Sequence, residues 1–171
     1  MWPMSRTGIA LLTLTLVLSL TACGTGFNAE TRNITQVTDG VEGAIINDQS
    51  EIKVRNLLIV ETAEKAGVIV GTLINTSDTD DALLGLAVNA QVATLSGNTT
   101  LSKNSPIIFE GASANAKAVV PSLDVVAGQN VTVTVFFARG GELTLTAIVR
   151  DQRDTYAGIT AQMEAVTPAK K

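Results

Sequence analysis

Histidine is absent from all 171 residues, and cysteine occurs once, as Cys23. Without imidazole, the Ser-His-Asp and Cys-His arrangements of nucleophilic catalysis are excluded, because each needs that ring as its proton carrier. A single thiol cannot form an internal disulfide, so stability has to come from a hydrophobic core. Aromatic side chains are scarce as well: one tryptophan, one tyrosine and four phenylalanines, with Trp2 at the amino end and Tyr156 near the other. Such a chain has little with which to build a sugar-stacking platform. The net charge of −4 disfavours a nucleic-acid partner.

Long apolar runs are also few. Residues 7–20 carry no charge after Arg6, and their apolar core, 9–20, is too short to span a bilayer but suits the central region of a signal peptide. It leads into Leu20-Thr21-Ala22-Cys23-Gly24, where small residues flank the thiol at the position of a bacterial lipid anchor. Residues 1–22 are therefore expected to be a cleaved lipoprotein signal peptide, and Cys23 to become the lipidated amino end. A diacylglyceryl thioether supplies the two chains that stable anchoring takes, and acylation of the new amino group adds a third (palmitate-type) chain. The expected location is the extracytoplasmic face of the cell membrane, with membrane lipid engaged through Cys23. Met1, Met4 and Trp2 would leave with the leader, and Met163 would be the remaining methionine.

Residues 23–42 form the lipidated cysteine and a polar, Thr/Asn/Gln-containing tether. From Ala44 the pattern turns to strands, and residues 43–153 are expected to form one domain. Ile52 and Val54 alternate with Glu51, Lys53 and Arg55, after which 57–60 is continuously apolar, as in a strand buried on both faces or interrupted by a bulge. Further strands are expected over 68–74, 83–88, 91–95, 106–110 and 116–120. The clearest unit is a hairpin. Val131, Val133, Val135 and Phe137 share one face, as do Leu143, Leu145, Ala147 and Val149, and Arg139-Gly140-Gly141-Glu142 joins the two. Short strands with frequent turns and no helical period predict an all-β fold, an antiparallel β-sandwich. Residues 154–171 are expected to be a disordered tail.

Several segments resemble the actinobacterial LpqE-type lipoproteins: Cys23-Gly24-Thr25-Gly26, Ile52-Lys53-Val54-Arg55-Asn56-Leu57-Leu58-Ile59-Val60, Gly71-Thr72-Leu73-Ile74-Asn75 and Asp80-Asp81-Ala82-Leu83. Ala127-Gly128-Gln129-Asn130-Val131 and Phe137-Ala138-Arg139-Gly140-Gly141 fit the same pattern. Those lipoproteins are similar in turn to the periplasmic copper(A) chaperones, so the resemblance implies a cupredoxin-like sandwich, of the same general kind as the immunoglobulin-like ones. It does not imply their copper chemistry. Cu(I) is held there by methionine and histidine, and no position of this chain matches that ligand set.

Asp78, Asp80 and Asp81, with the Asn75 and Thr76 oxygens, are the candidate cation ligands, and calcium is the hard ion such oxygens would suit. The loop lacks the glycine and distal glutamate of an EF-hand, and acidic loops between strands commonly serve as solvated turns. Ser50-Glu51-Ile52-Lys53 matches S-x-x-K, but that motif works at the start of a helix and here it enters a strand. Glu61 and Glu64 lie in a turn, with nothing to set them across a cleft. No catalytic residue and no cofactor is expected. The leading functional expectation is a non-catalytic module that binds or scaffolds another cell-envelope protein. The alternatives are a carrier of lipid or another apolar ligand in a pocket between the sheets, and a copper-handling relative of the chaperones.

Overall fold

Residues 39–163 are described by the computed structural model, and apart from one 3-10 turn at Asp154–Tyr156 their regular structure is all strand. The strands are β1 (Val41–Asn47), β2 (Ser50–Glu61), β3 (Gly67–Asn75), β4 (Asp81–Val88), β5 (Gln91–Val92), β6 (Thr94–Gly97), β7 (Thr100–Leu101), β8 (Ile107–Ile108), β9 (Ala116–Val120), β10 (Asn130–Phe137) and β11 (Gly141–Asp151). Their hydrogen-bonded order is β5-β4-β10-β11-β2-β3-β9-β6, with β1 on β2, β7 on β4 and β8 on β3.

Strand β11 joins the two layers. Its first part pairs antiparallel with β10, and its last residues, Val149 to Asp151, pair parallel with Ile59 to Glu61 of β2. The two layers thus share one strand and enclose a core between them. The alternation in β10 is kept: Val131, Val133, Val135 and Phe137 are buried, and so are Ala147 and Val149 of β11. Leu143 and Leu145 are half-buried against this core, where β1 lies over them. A Cβ on Gly43 of β1 would come within 2.7 Å of Leu145 Cδ2, so this approach depends on glycine. The hairpin loop is shorter than the four residues expected, because Phe137 already pairs with Gly141 and the turn occupies 138–140. Gly141 takes the positive φ, 85°.

Strand β2 satisfies both readings of its apolar run. The β2–β3 register shifts between Arg55 and Leu58, and Asn56 sits there at φ 50°. Leu57 then faces the inter-sheet core, while Leu58 belongs to a second apolar cluster on the opposite face.

That second cluster corrects the expected tail. Residues 154–163 do not leave the domain at Asp154: Ile159, 8% exposed, packs with Leu58, Val60, Ala66, Val68 and Val119, and Tyr156 and Ala161 lie against them. The outer face of this sheet is apolar at one end, and burying it repays the ordering of a segment whose own sequence has no periodicity. The start of the domain also differs slightly, since β1 begins at Val41 and Gly40 is buried. Cys23, the leader and most of the tether lie outside the described residues, as do 164–171.

Candidate functional site

The acidic loop does not gather its carboxylates. Asp81 turns inward, 5% exposed, and accepts from Ser50 Oγ (2.8 Å), Gly140 N (2.9 Å), Arg139 N (2.9 Å) and Ala82 N (2.7 Å). Burial raises the cost of its charge, but these donors outweigh it and hold the carboxyl below the usual range. Asp78 faces solvent and pairs with Lys103, whose ammonium lowers its pKa. Asp80 is exposed. Asn75 is fully buried, donating to Thr79 O and Leu101 O at 2.8 Å each and accepting from Ser77, which makes it the framework of the loop. Asp78, Asp80 and Asp81 therefore serve three different surroundings. Among the described residues no three acidic, histidine or cysteine side chains converge as a metal site would require.

The other sequence candidates also have structural occupations. Ser50 opens β2 and spends its hydroxyl on Asp81, while Lys53 pairs with Glu51 at 3.0 Å. Glu61 holds Lys65 at 2.6 Å and accepts from Ala127 N, and Glu64 is exposed on the same turn. No pair of carboxylates spans a cleft there.

A groove arises where the sequence offered no signal, between the C-terminal segment and the outer face of the β3 layer. The segment is held by Tyr156 N to Arg153 O (2.9 Å), Ile159 N to Tyr156 O (3.0 Å) and Gln152 Nε2 to Ile159 O (2.6 Å). Asp39 ties it to the start of the domain, accepting from Tyr156 OH at 3.3 Å and pairing with Arg150 at 3.1 Å. The space left beside it is about 540 Å³, with Val70, Ile159 and Tyr156 on its apolar side and Asn56, Glu110 and Gly158 around them. Burial, reinforced by the Asp39 carboxylate, raises the Tyr156 pKa.

Glu110 is the chemically distinctive group. Its side chain is 18% exposed and lies 3.4 Å from Lys117 Nζ, itself 14% exposed. The two are near enough to attract, yet Glu110 Oε1 is closed to solvent and accepts no hydrogen bond. Burial pushes this carboxyl above the usual range against the opposing pull of Lys117. In the sequence Glu110 merely follows a short apolar run, seven residues before Lys117. Only strand β9, bringing Lys117 back alongside, makes them a pair.

No family model and no curated protein matches the chain. Solved structures do match. The apo PCuAC domain from PmoF1 aligns with a TM-score of 0.52 at 19% identity, over 61% of this chain and 98% of that one. The apo PmoF2 PCuAC domain gives 0.53 at 17%, over 66% and 98%, and the copper-bound PCuAC domain from PmoF2 gives 0.51 at 16%, over 61% and 97%.

The shared property is the fold.

It is the all-β, cupredoxin-like sandwich of PCuAC domains, matched over almost the whole of those domains. At such identities the likeness speaks for architecture, and function has to come from the side chains. The copper chemistry finds no counterpart in them. The chain has no histidine, and Met163 is the sole sulfur-bearing side chain among the described residues. Cu(I) selects thiolate, thioether and imidazole, and this domain presents oxygen and amide groups instead.

Proposed function

We propose that this protein is a lipid-anchored, non-catalytic binding module on the extracytoplasmic face of a bacterial cell membrane, acting with another envelope protein. The observation that carries the anchor is the sequence Leu20-Thr21-Ala22-Cys23-Gly24 behind a short apolar run. The LpqE-type resemblance gives an actinobacterial envelope as the setting. A binding role is supported by the PCuAC fold without PCuAC donors.

The surface favoured for the partner is the outer face of the β4–β10 layer. Phe136 is 37% exposed there while Phe109 and Phe137 are buried, and Leu84 at 65% and Val92 at 75% lie on the same layer. Phe136 stands opposite Gly85, where a Cβ would meet nothing within 4 Å, so the ring borders open space.

The test has two readouts in the native host. Mass spectrometry of the purified protein should find Cys23 as an acylated amino-terminal residue. A soluble product that retains Trp2 would rule the anchor out. A photo-crosslinker replacing Phe136 should capture one envelope protein reproducibly from intact cells, and its capture should vanish when the crosslinker stands at exposed Glu64, on the turn between β2 and β3 away from this layer. Equal capture from both positions would remove the binding face.

A further inference from the structure

We propose that the groove under the C-terminal segment binds an apolar chain ending in a hydrogen-bond donor that is neutral or cationic, with Glu110 as the acceptor. This goes beyond the partner reading and does not depend on the anchor or on Phe136.

Its volume, about 540 Å³, lies within the range of roughly 300–1,000 Å³ usual for small-molecule sites. Val70, Ile159 and the Tyr156 ring give one side the apolar character that a hydrocarbon chain needs. Glu110 gives the polar point. Buried carboxylates ordinarily take several donors, as Asp81 does with four. Glu110 takes none from the described residues, and Lys117 approaches without aligning a bond. Because Oε1 is closed off against Lys117, a hydroxyl, amide or ammonium group entering the groove would donate to the other carboxylate oxygen, Oε2. An acid would meet a like charge in a poorly solvated place, and so is excluded.

This site differs from the carrier pocket expected between the sheets. Side chains there, such as Leu57, Ile59, Leu73 and Val133, are wholly buried against one another. The groove instead lies outside the β2–β3 layer and owes one wall to residues 154–159. A bulky residue at Gly158 tests it directly, because a Cβ there meets nothing within 4 Å.

The experiment uses the full chain with Cys23→Ala, so that no acyl chain is attached, and three chain-matched probes below their micellar concentrations: octanol, octylammonium and octanoate. Binding is read from the amide chemical shifts of Gly111, Thr155 and Gly158. Octanol and octylammonium should give saturable shifts at these residues, and octanoate should bind at least about tenfold more weakly, as expected when a second carboxylate enters beside Glu110. In Glu110→Gln the repulsion is gone and Lys117 is freed, so octanoate should gain about tenfold. Gly158→Phe should abolish the shifts for all three, whether or not the Glu110 variant folds. Equal binding of octanoate and octanol by the unsubstituted site, unchanged octanoate affinity in folded Glu110→Gln, or intact binding in Gly158→Phe would each overturn the proposal.

Discussion

The Asp81 carboxylate ties together the start of β2, the start of β4 and the β10–β11 turn, through Ser50, Ala82, Arg139 and Gly140. Charge and shape both matter in this arrangement, since two backbone amides and a hydroxyl from distant segments point at one pair of oxygens. Asp81→Asn would turn an amide NH2 toward N–H donors, and it should cost on the order of 3 kcal/mol in urea unfolding. The pH dependence follows from the depressed folded pKa. Stabilisation is complete above the ordinary aspartate value of about 4 and is lost as pH falls through the lower folded value. The acid limb of the stability curve should therefore flatten in Asp81→Asn. The same measurement in about 0.5 M salt separates it from exposed Asp78 and half-exposed Asp151, whose ion pairs are screened.

Two elements depend on backbone features that composition alone does not reveal. Asn56 holds the β2 bulge at φ 50° and accepts from Gly40 N at 2.9 Å through its side chain. Asparagine tolerates this conformation, whereas a β-branched residue does not. Asn56→Val should lower stability by about 1–3 kcal/mol, while Asn56→Gly, which keeps the backbone but loses the acceptor, should cost less. Calorimetric or urea midpoints of the pair distinguish strain from hydrogen bonding. The C-terminal segment is the second such element. Deleting residues 154–171 would uncover Leu58, Val60, Val68 and Val119 on the outer face, so the shortened chain should bind the dye ANS and self-associate in sedimentation experiments. A truncated chain that stayed monomeric and dye-free would show that the segment does not protect this face.

At the scale of the molecule, the described residues form a PCuAC-type sandwich with little of the soft donor chemistry that suits copper. The chain has no imidazole, and its described domain has one thioether, Met163, at 38% exposure near the end of the described residues. In competition with a Cu(I)-selective chelator, the Cys23→Ala full chain should leave the copper on the chelator and show no change in Tm. Retention of stoichiometric copper would require a donor set that the described side chains do not offer.

What the sequence by itself determined was local and periodic. Alternation in 131–137 and 143–149 told which side chains turn toward the core, because a strand sends neighbouring residues to opposite faces whatever it later pairs with. The run 57–60 announced either burial on both sides or a bulge, and the absence of histidine excluded the arrangements that need imidazole. Tertiary structure alone decided the rest. That Asp81 would face inward while Asp78 faced water depended on a turn 58 residues away along the chain. That residues 154–159 would pack depended on an apolar outer face assembled from β2, β3 and β9. Glu110 acquired its character only when β9 returned Lys117 beside it and the C-terminal segment closed over the space. Such properties are sums over groups far apart in sequence, and desolvation, which makes each of them consequential, exists only once the chain has folded.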